Sequence, residues 1–261
     1  MQNLNLLFNK TYFSELEVPV NDGARKRNDK WFSVHNKMII GIDPDSDSQL
    51  PQFSATDYAN FMDEATADRL CTHRFIMKTL YPGLLVGTGY AHEATQGSNN
   101  CIKLGFSFDY VTGQPYIPGS SVKGMLKSCF SEASVIGEIM EPMGVKLTDQ
   151  QVKNLREQIF EGNRDVFFDA VIRAGDEKQR ILGEDYITPH GKDETKSPNP
   201  LLMLKILPDV KFEFRFRLTD SMLSEECIVS ADVKRRLFME LLSIFGIGAK
   251  TNVGYGILEL V

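Results

Sequence analysis

The residues best suited to holding an anion lie at 245–256, which read Phe-Gly-Ile-Gly-Ala-Lys-Thr-Asn-Val-Gly-Tyr-Gly. Gly246, Gly248, Gly254 and Gly256 are interspersed with Lys250, Thr251 and Asn252. Glycine adopts φ > 0 and lets a backbone come close to a ligand. Successive N–H groups exposed in such a turn form an anion-binding concavity. With one ammonium and two small polar side chains inside it, the chemistry expected is the binding of a phosphate-bearing partner. The alternative is a helix C-cap followed by a tight turn into a last strand. Two common nucleotide loops do not fit. A Walker A loop needs Gly immediately before Lys and opens a helix, whereas Ala249 separates Gly248 from Lys250 behind a helical pattern. A dinucleotide fingerprint needs an acid about 20 residues further on, and the chain stops before that.

A second candidate is Gln114–Gly124, Gln-Pro-Tyr-Ile-Pro-Gly-Ser-Ser-Val-Lys-Gly. Pro118 and Gly119 make a turn, and Ser120 or Ser121 is a natural N-cap. Lys123 falls in the first helical turn, with Lys127 at i+4 on the same face. A helix start with free N–H groups, hydroxyls and a lysine binds phosphate. A third is the basic run Arg25, Lys26, Arg27, Lys30 and Lys37 against the single acid Asp29 within 23–37. It is either a local nucleic-acid footprint or a solvated loop.

These groups need elements to position them. Thr56–Leu70 reads as a helix, and His73–Leu80 as an apolar strand leading to Pro82-Gly83. Ile102–Tyr110 alternates as a half-buried strand does. Ser121–Ser131 is the first core helix. Residues 132–165 form a helical insertion with a good helix at Thr148–Phe160, Val166–Arg173 is a strand, and 174–200 is charged and loop-like. Leu201–Leu207 and Val210–Leu218 follow as strands around a Pro208-Asp209 turn. In the latter Phe212, Phe214, Phe216 and Leu218 face one way and Lys211, Glu213, Arg215 and Arg217 the other, toward water or a partner. Ser230–Phe245 is the second core helix, capped by Ser230, and Gly256–Val261 the last strand. Residues 9–55 are polar and turn-rich, with short strands possible at 31–35 and 38–42. The order is compatible with a βαββαβ, ferredoxin-like α+β unit.

Composition is that of an ordinary globular chain: 261 residues, 42% hydrophobic and 25% charged. A formal charge of −6 excludes a footprint spread over the whole surface but not a local one. No apolar run is long enough for a membrane span. Met1–Phe8 lacks a basic n-region, so no signal peptide is expected and a cytoplasmic location is. Cys71, Cys101, Cys129 and Cys227 show no metal-ligand spacing and are expected as free thiols. No cofactor or metal motif is found. The histidines are His35, His73, His92 and His190, without GxSxG or HExxH context.

The helix start IPGSSVKG and the end GIGAKTNVGYG resemble the RAMP superfamily of CRISPR-associated proteins, over roughly residues 73–261. Leu85-Val86-Gly87-Thr88-Gly89, Phe167-Phe168-Asp169-Ala170 and Pro198-Asn199-Pro200 fit, in order, the sixth-subunit family of the type III-B (Cmr) RNA-targeting complex. The resemblance implies a single RRM-like RAMP domain over 1–261, with 1–72 as an N-terminal extension and an insertion at about 132–200. It implies a non-catalytic subunit that holds guide RNA. It also implies that the chain caps or extends a filament of backbone RAMP subunits beside a neighbouring end subunit, for defence against foreign RNA. The expected RNA-binding residues are Gly119, Ser120, Ser121, Lys123, Lys127, Gly246, Gly248, Lys250, Thr251, Asn252, Gly254, His92, Arg25, Lys26 and Arg27. The alternatives are a RAMP endoribonuclease, a type III-A counterpart, and a pure scaffold whose glycines only make packing turns. The nuclease reading would use His92 as a base near the 2′-hydroxyl. Asp109 and Asp169 are assigned structural roles, Asp169 as an acid that bonds backbone or a neighbouring lysine.

Overall fold

The computed structural model describes residues 4–11, 14, 22–52, 64–87, 101–102, 106–110, 112–187 and 200–261. Its centre is an antiparallel sheet built around β1 (His73–Thr79) and β7 (Lys211–Arg217), paired from His73↔Phe216 to Lys78↔Lys211. β10 (Leu258–Leu260) flanks β1, and β4 (Ala170–Ala174) with β2 (Tyr116–Ile117) flanks β7. β3 (Val166–Phe167) also pairs β7, so β3 and β4 are one strand broken at Phe168-Asp169. The first and third strands of the βαββαβ unit are thus central and the second and fourth lie outside them. This is the ferredoxin-like arrangement, left open rather than closed into a barrel.

The two core helices, Gly119–Cys129 and Ala231–Phe245, pack together on one sheet face. Their stripes are Val122, Leu126 and Cys129 in the first and Leu237, Phe238, Leu241 and Leu242 in the second, at the 3.6-residue period. Ser230 caps the second by accepting from Val233 N–H at 3.3 Å. Phe216 and Phe238 meet beneath it at 5.4 Å between ring centroids. The Lys234 ammonium reaches Asp165 at 2.5 Å, both side chains fully enclosed, and ties this helix to the start of β3.

The other sheet face, expected to meet water or a partner, is covered at its centre by the chain itself, while Arg217 at the end of β7 stays exposed. Glu213 is 3% exposed and Arg215 1%. The Glu213 carboxylate receives Arg215 Nε at 3.1 Å, with Arg74 at 3.5 Å and Arg173 at 3.6 Å. Charges are buried only when paired in this way. The helix Glu64–Leu70 borders this face: Arg217 donates to Leu70 O, and Arg74 pairs with Asp68 at 2.6 Å.

The N-terminal extension departs from expectation. Residues 22–39 form an 18-residue helix, Asp22–Ile39, where turns and short strands were expected. Phe32, His35, Asn36 and Ile39 recur at helical spacing and are buried, which decides the element. Of the expected helix Thr56–Leu70, only Glu64–Leu70 falls within the described residues. Gln52 pins the extension to the core, donating to Ile39 O and accepting from Ile181 and Leu182 N–H at 2.9 Å each. Ile102–Tyr110 yields no named strand among the described residues, only a bridge from Phe108 to Pro115.

The insertion holds the helices Ala133–Met140 and Asp149–Phe160, the latter opened by a capping box between Thr148 and Gln151. Within the supposed loop, β5 (Leu182–Ile187) pairs in full register with β6 (Leu201–Ile206) as a separate hairpin. A further hairpin, β8 (Ser221–Ser224) and β9 (Cys227–Val229), was not anticipated.

Candidate nucleic-acid interface

The two glycine-bearing segments, far apart in sequence, border one cleft of about 830 Å³. Residues 85–87 form part of the wall, Ile117 to Cys129 another, and Phe245 to Thr251 a third. The glycines first serve packing. Gly248 has φ +95° and its absent Cβ would lie 2.4 Å from Leu85 O; Gly256 has φ +76° and would place a Cβ 1.9 Å from Ile247 O. The loop is therefore seated on backbone, with Ala249 N–H donating to Leu85 O at 3.0 Å and Ile247 N–H to Gly256 O at 2.9 Å.

This changes which N–H groups are available. Those of Gly246, Ile247, Ala249, Val253 and Gly254 are spent on Leu242, Gly256, Leu85, Lys250 and Thr251 carbonyls. Those of Gly248, Lys250, Thr251 and Asn252 have no partner among the described residues. Lys250 sits in the left-handed region at φ 61°, exposed, where the chain turns into the short 3₁₀ segment Thr251–Val253. Four N–H donors without a partner among the described residues and an exposed ammonium thus lie on one tight turn, the groups from which an anion-binding concavity is built.

The first core helix contributes differently from what its sequence suggests. Ser121, Met125, Ser128 and Cys129 line the cleft. Lys123 follows Ser121 by two residues, about 200° around the helix. Its Nζ lies 5.8 Å from the Phe167 ring centroid, and Lys127 pairs with Glu161 at 3.3 Å. Neither lysine joins Lys250. Ser120 and Ser121 are exposed but make no cap; Pro118 occupies the N-cap position, and the Asp169 carboxylate accepts from Gly119 N–H at 2.7 Å instead.

Next to the loop, Tyr255 O–H donates to Asp185 Oδ2 at 2.7 Å, and Lys205 donates to the same oxygen at 2.7 Å. Burial and that hydrogen bond push the Tyr255 phenol up to about 12. Asp185 is held below its usual range: burial works against this, but the Lys205 and Tyr255 hydrogen bonds outweigh it.

The model of the RAMP superfamily matches residues 76–259. The chain belongs to this superfamily. A curated relative, the CRISPR system CMR subunit Cmr6 of Saccharolobus solfataricus (strain ATCC 35092 / DSM 1617 / JCM 11322 / P2), is 29% identical over 161 residues, 60% of this chain and 48% of the relative. The chain thus spans about half the length of that relative. Among solved structures, a chain of the type III-B Cmr-beta complex bound to cognate target RNA superposes with a TM-score of 0.58 at 23% identity, covering 96% of this chain and 79% of that one. That likeness is one of fold. Cmr6 from Pyrococcus furiosus gives a TM-score of 0.46 at 21% identity over 72% of this chain and 97% of that one.

The other candidates of this RAMP chain lie apart from the cleft or outside the described residues. Arg25, Lys26 and Arg27 are on the exposed side of the N-terminal helix, not on a loop. His92 and His190 fall outside the described residues. His35 is buried, stacked on Trp31 at 3.9 Å, and His73 bonds the Thr72 hydroxyl with Asp232 at 3.7 Å. Asp109 closes a local turn, accepting from Thr112 N–H and Oγ1. Among the described residues no group of three His, Cys, Asp or Glu could hold a metal ion, and no helix is long and apolar enough to cross a membrane. The cysteines are free, with Cys71, Cys101 and Cys129 buried. Sequence reasoning missed Phe245, Glu132 and Ser128 as cleft residues. The i, i+4, i+7 spacing of Ser121, Met125 and Ser128 was the signal that would have found the helix's cleft-facing side.

Proposed function

We propose that this chain is an RNA-binding subunit of a Cmr-type CRISPR effector complex that holds guide RNA by its phosphates and does not cut it. The observation that carries this reading is the turn at 248–252, where four N–H groups have no partner among the described residues beside the exposed Lys250, and where Gly248 and Thr251 line a cleft shared with the first core helix. Membership of the RAMP superfamily and the names of its relatives, CMR subunits, support it. In this reading the chain caps or extends a filament of backbone RAMP subunits near the 3′ end of the guide, beside a neighbouring end subunit. Contacts of this kind read no sequence and are sensitive to salt. The helix-side lysines Lys123 and Lys127 are not part of the anchor.

The test is crosslinking of the chain, alone and co-expressed with the other Cmr subunits, to labelled guide RNA, with peptide mapping. Crosslinks at 246–256 with intact RNA are the expected result. Cleaved RNA from the isolated chain would move the assignment to an endoribonuclease. Assembly without any crosslink would make the glycine loop a packing device only.

A further inference from the structure

The interior of the cleft has the wrong chemistry for a phosphate. Among the described residues no lysine or arginine lines it, and the one charged residue there is the exposed Glu132. A phosphate drawn inside would shed water and face a carboxylate. The walls are instead apolar: Leu85, Val86, Ile117, Met125, Val135 and Ile247. Phe245, the last residue of its helix, is 42% exposed and lines the same space, and no other ring rests on it among the described residues. Among the described residues its polar side chains are few: the Ser121, Ser128, Ser131 and Thr251 hydroxyls and the Glu132 carboxylate.

An apolar space with an accessible ring and a few polar groups along its edge matches a planar heterocycle, apolar on its faces and polar at its rim. Unstacked bases of single-stranded RNA are held by just such a combination, an aromatic face plus hydrogen bonds along an edge. The cleft also shares Gly248 and Thr251 with the turn that carries the free N–H groups. A nucleotide with its phosphate on that turn therefore has its base within reach of the cleft.

We infer that the cleft takes one unstacked nucleobase of the bound RNA, laid on the ring of Phe245, with Glu132 accepting hydrogen bonds from an N–H edge such as that of guanine. This rests on the RNA reading of the glycine loop. It adds a base-holding pocket to a phosphate-holding turn. Glu132 would then favour bases that present donors over those that present only acceptors.

The test uses the assembled complex loaded with guide RNAs that each carry a single photoreactive thioguanosine at a different position. After irradiation, crosslinked peptides are mapped. One position crosslinks to 121–135 or 245–251. Phe245→Trp keeps that crosslink, Phe245→Ala lowers it about tenfold, and Val135→Trp, which narrows the space, lowers it as well. In all three variants the Lys250-dependent salt slope of RNA binding persists. A persistent slope with no base crosslink to these peptides overturns the pocket and leaves the phosphate reading standing. A crosslink that Val135→Trp and Phe245→Ala leave unchanged also overturns it. Loss of both slope and crosslink in the unmodified chain overturns the RNA reading itself.

Discussion

Asp169 accepts a hydrogen bond from the Gly119 N–H at 2.7 Å, 50 residues away in sequence. The break between β3 and β4 thereby serves as the cap of the first core helix. Pro118 has no side-chain acceptor to offer, and Gly119 is packed so closely that a Cβ would lie 2.4 Å from Phe167 O. A helix start left without such an acceptor loses about 1 kcal/mol. Asp169→Ala should therefore lower the midpoint of thermal unfolding by about 2–4 °C, and Asp169→Asn, which keeps an acceptor, by less. Equal losses in the two variants would show that the bond contributes nothing of its own.

Gly254 and Gly256 should respond very differently to alanine. Both have positive φ, but the Cβ of residue 256 would collide with Ile247 O, whereas that of residue 254 meets only Pro82 at 3.7 Å. Gly254→Ala should cost about 1–2 kcal/mol, the strain of the left-handed conformation. Gly256→Ala should unseat the loop and give little folded protein. Denaturant titration of the two side by side checks this.

Three lysines near the candidate site separate by what they touch. Lys250→Ala should reduce the slope of log K against log salt by about one unit, uniformly over RNA sequences. Lys127→Ala and Lys123→Ala should leave the slope unchanged, because Lys127 is paired with Glu161 and Lys123 lies over Phe167. A fall in slope for either would restore that face of the helix to the interface.

Tyr255 sets an alkaline limit. Its folded-state phenol titrates near 12, above the ordinary value of 10.0. The native chain therefore holds the proton more tightly than the unfolded chain between those values. The stability this contributes is complete below about pH 10 and is lost as pH rises toward about 12. Unfolding of Tyr255→Phe should be less stable at neutral pH, for want of the Asp185 bond, and should depend less on pH across that window. A wild-type and variant that lose stability in parallel from pH 10 to 12 would contradict this.

Local chemistry made several elements readable in advance. The helix Asp149–Phe160 starts one residue beyond Thr148, and Ala231–Phe245 directly after Ser230, because a cap and an apolar stripe are written into adjacent residues. β1 and the alternation of β7 were equally plain. The N-terminal helix Asp22–Ile39 was not. Its buried positions are sparse among basic residues, and burial against the rest of the chain, not propensity, makes it a helix. β5 was obscured for a related reason. Its charged sequence becomes a strand through its register with β6, a pairing across residues 188–199 that local pattern does not contain.

What the sequence determined by itself was the inventory of the site: glycines where backbone must approach backbone, and one lysine between them. It also determined the starts of the helices at Asp149 and Ala231, where a capping side chain directly precedes an apolar stripe, but not that of the first core helix, whose acceptor is the distant Asp169. Which groups stay free was a tertiary decision. Packing on Leu85 and Gly256 consumed most of the loop's N–H groups, and the rotation of one helix turned Lys123 and Lys127 away while bringing Ser121 to the cleft. The same holds for Glu213 and Arg215. They read as a face turned to water or a partner, yet they lie buried because Arg74 and Arg173, distant in sequence, arrive to share the carboxylate. Charge pairing across the fold depends on who the neighbours are, and only the folded chain supplies them.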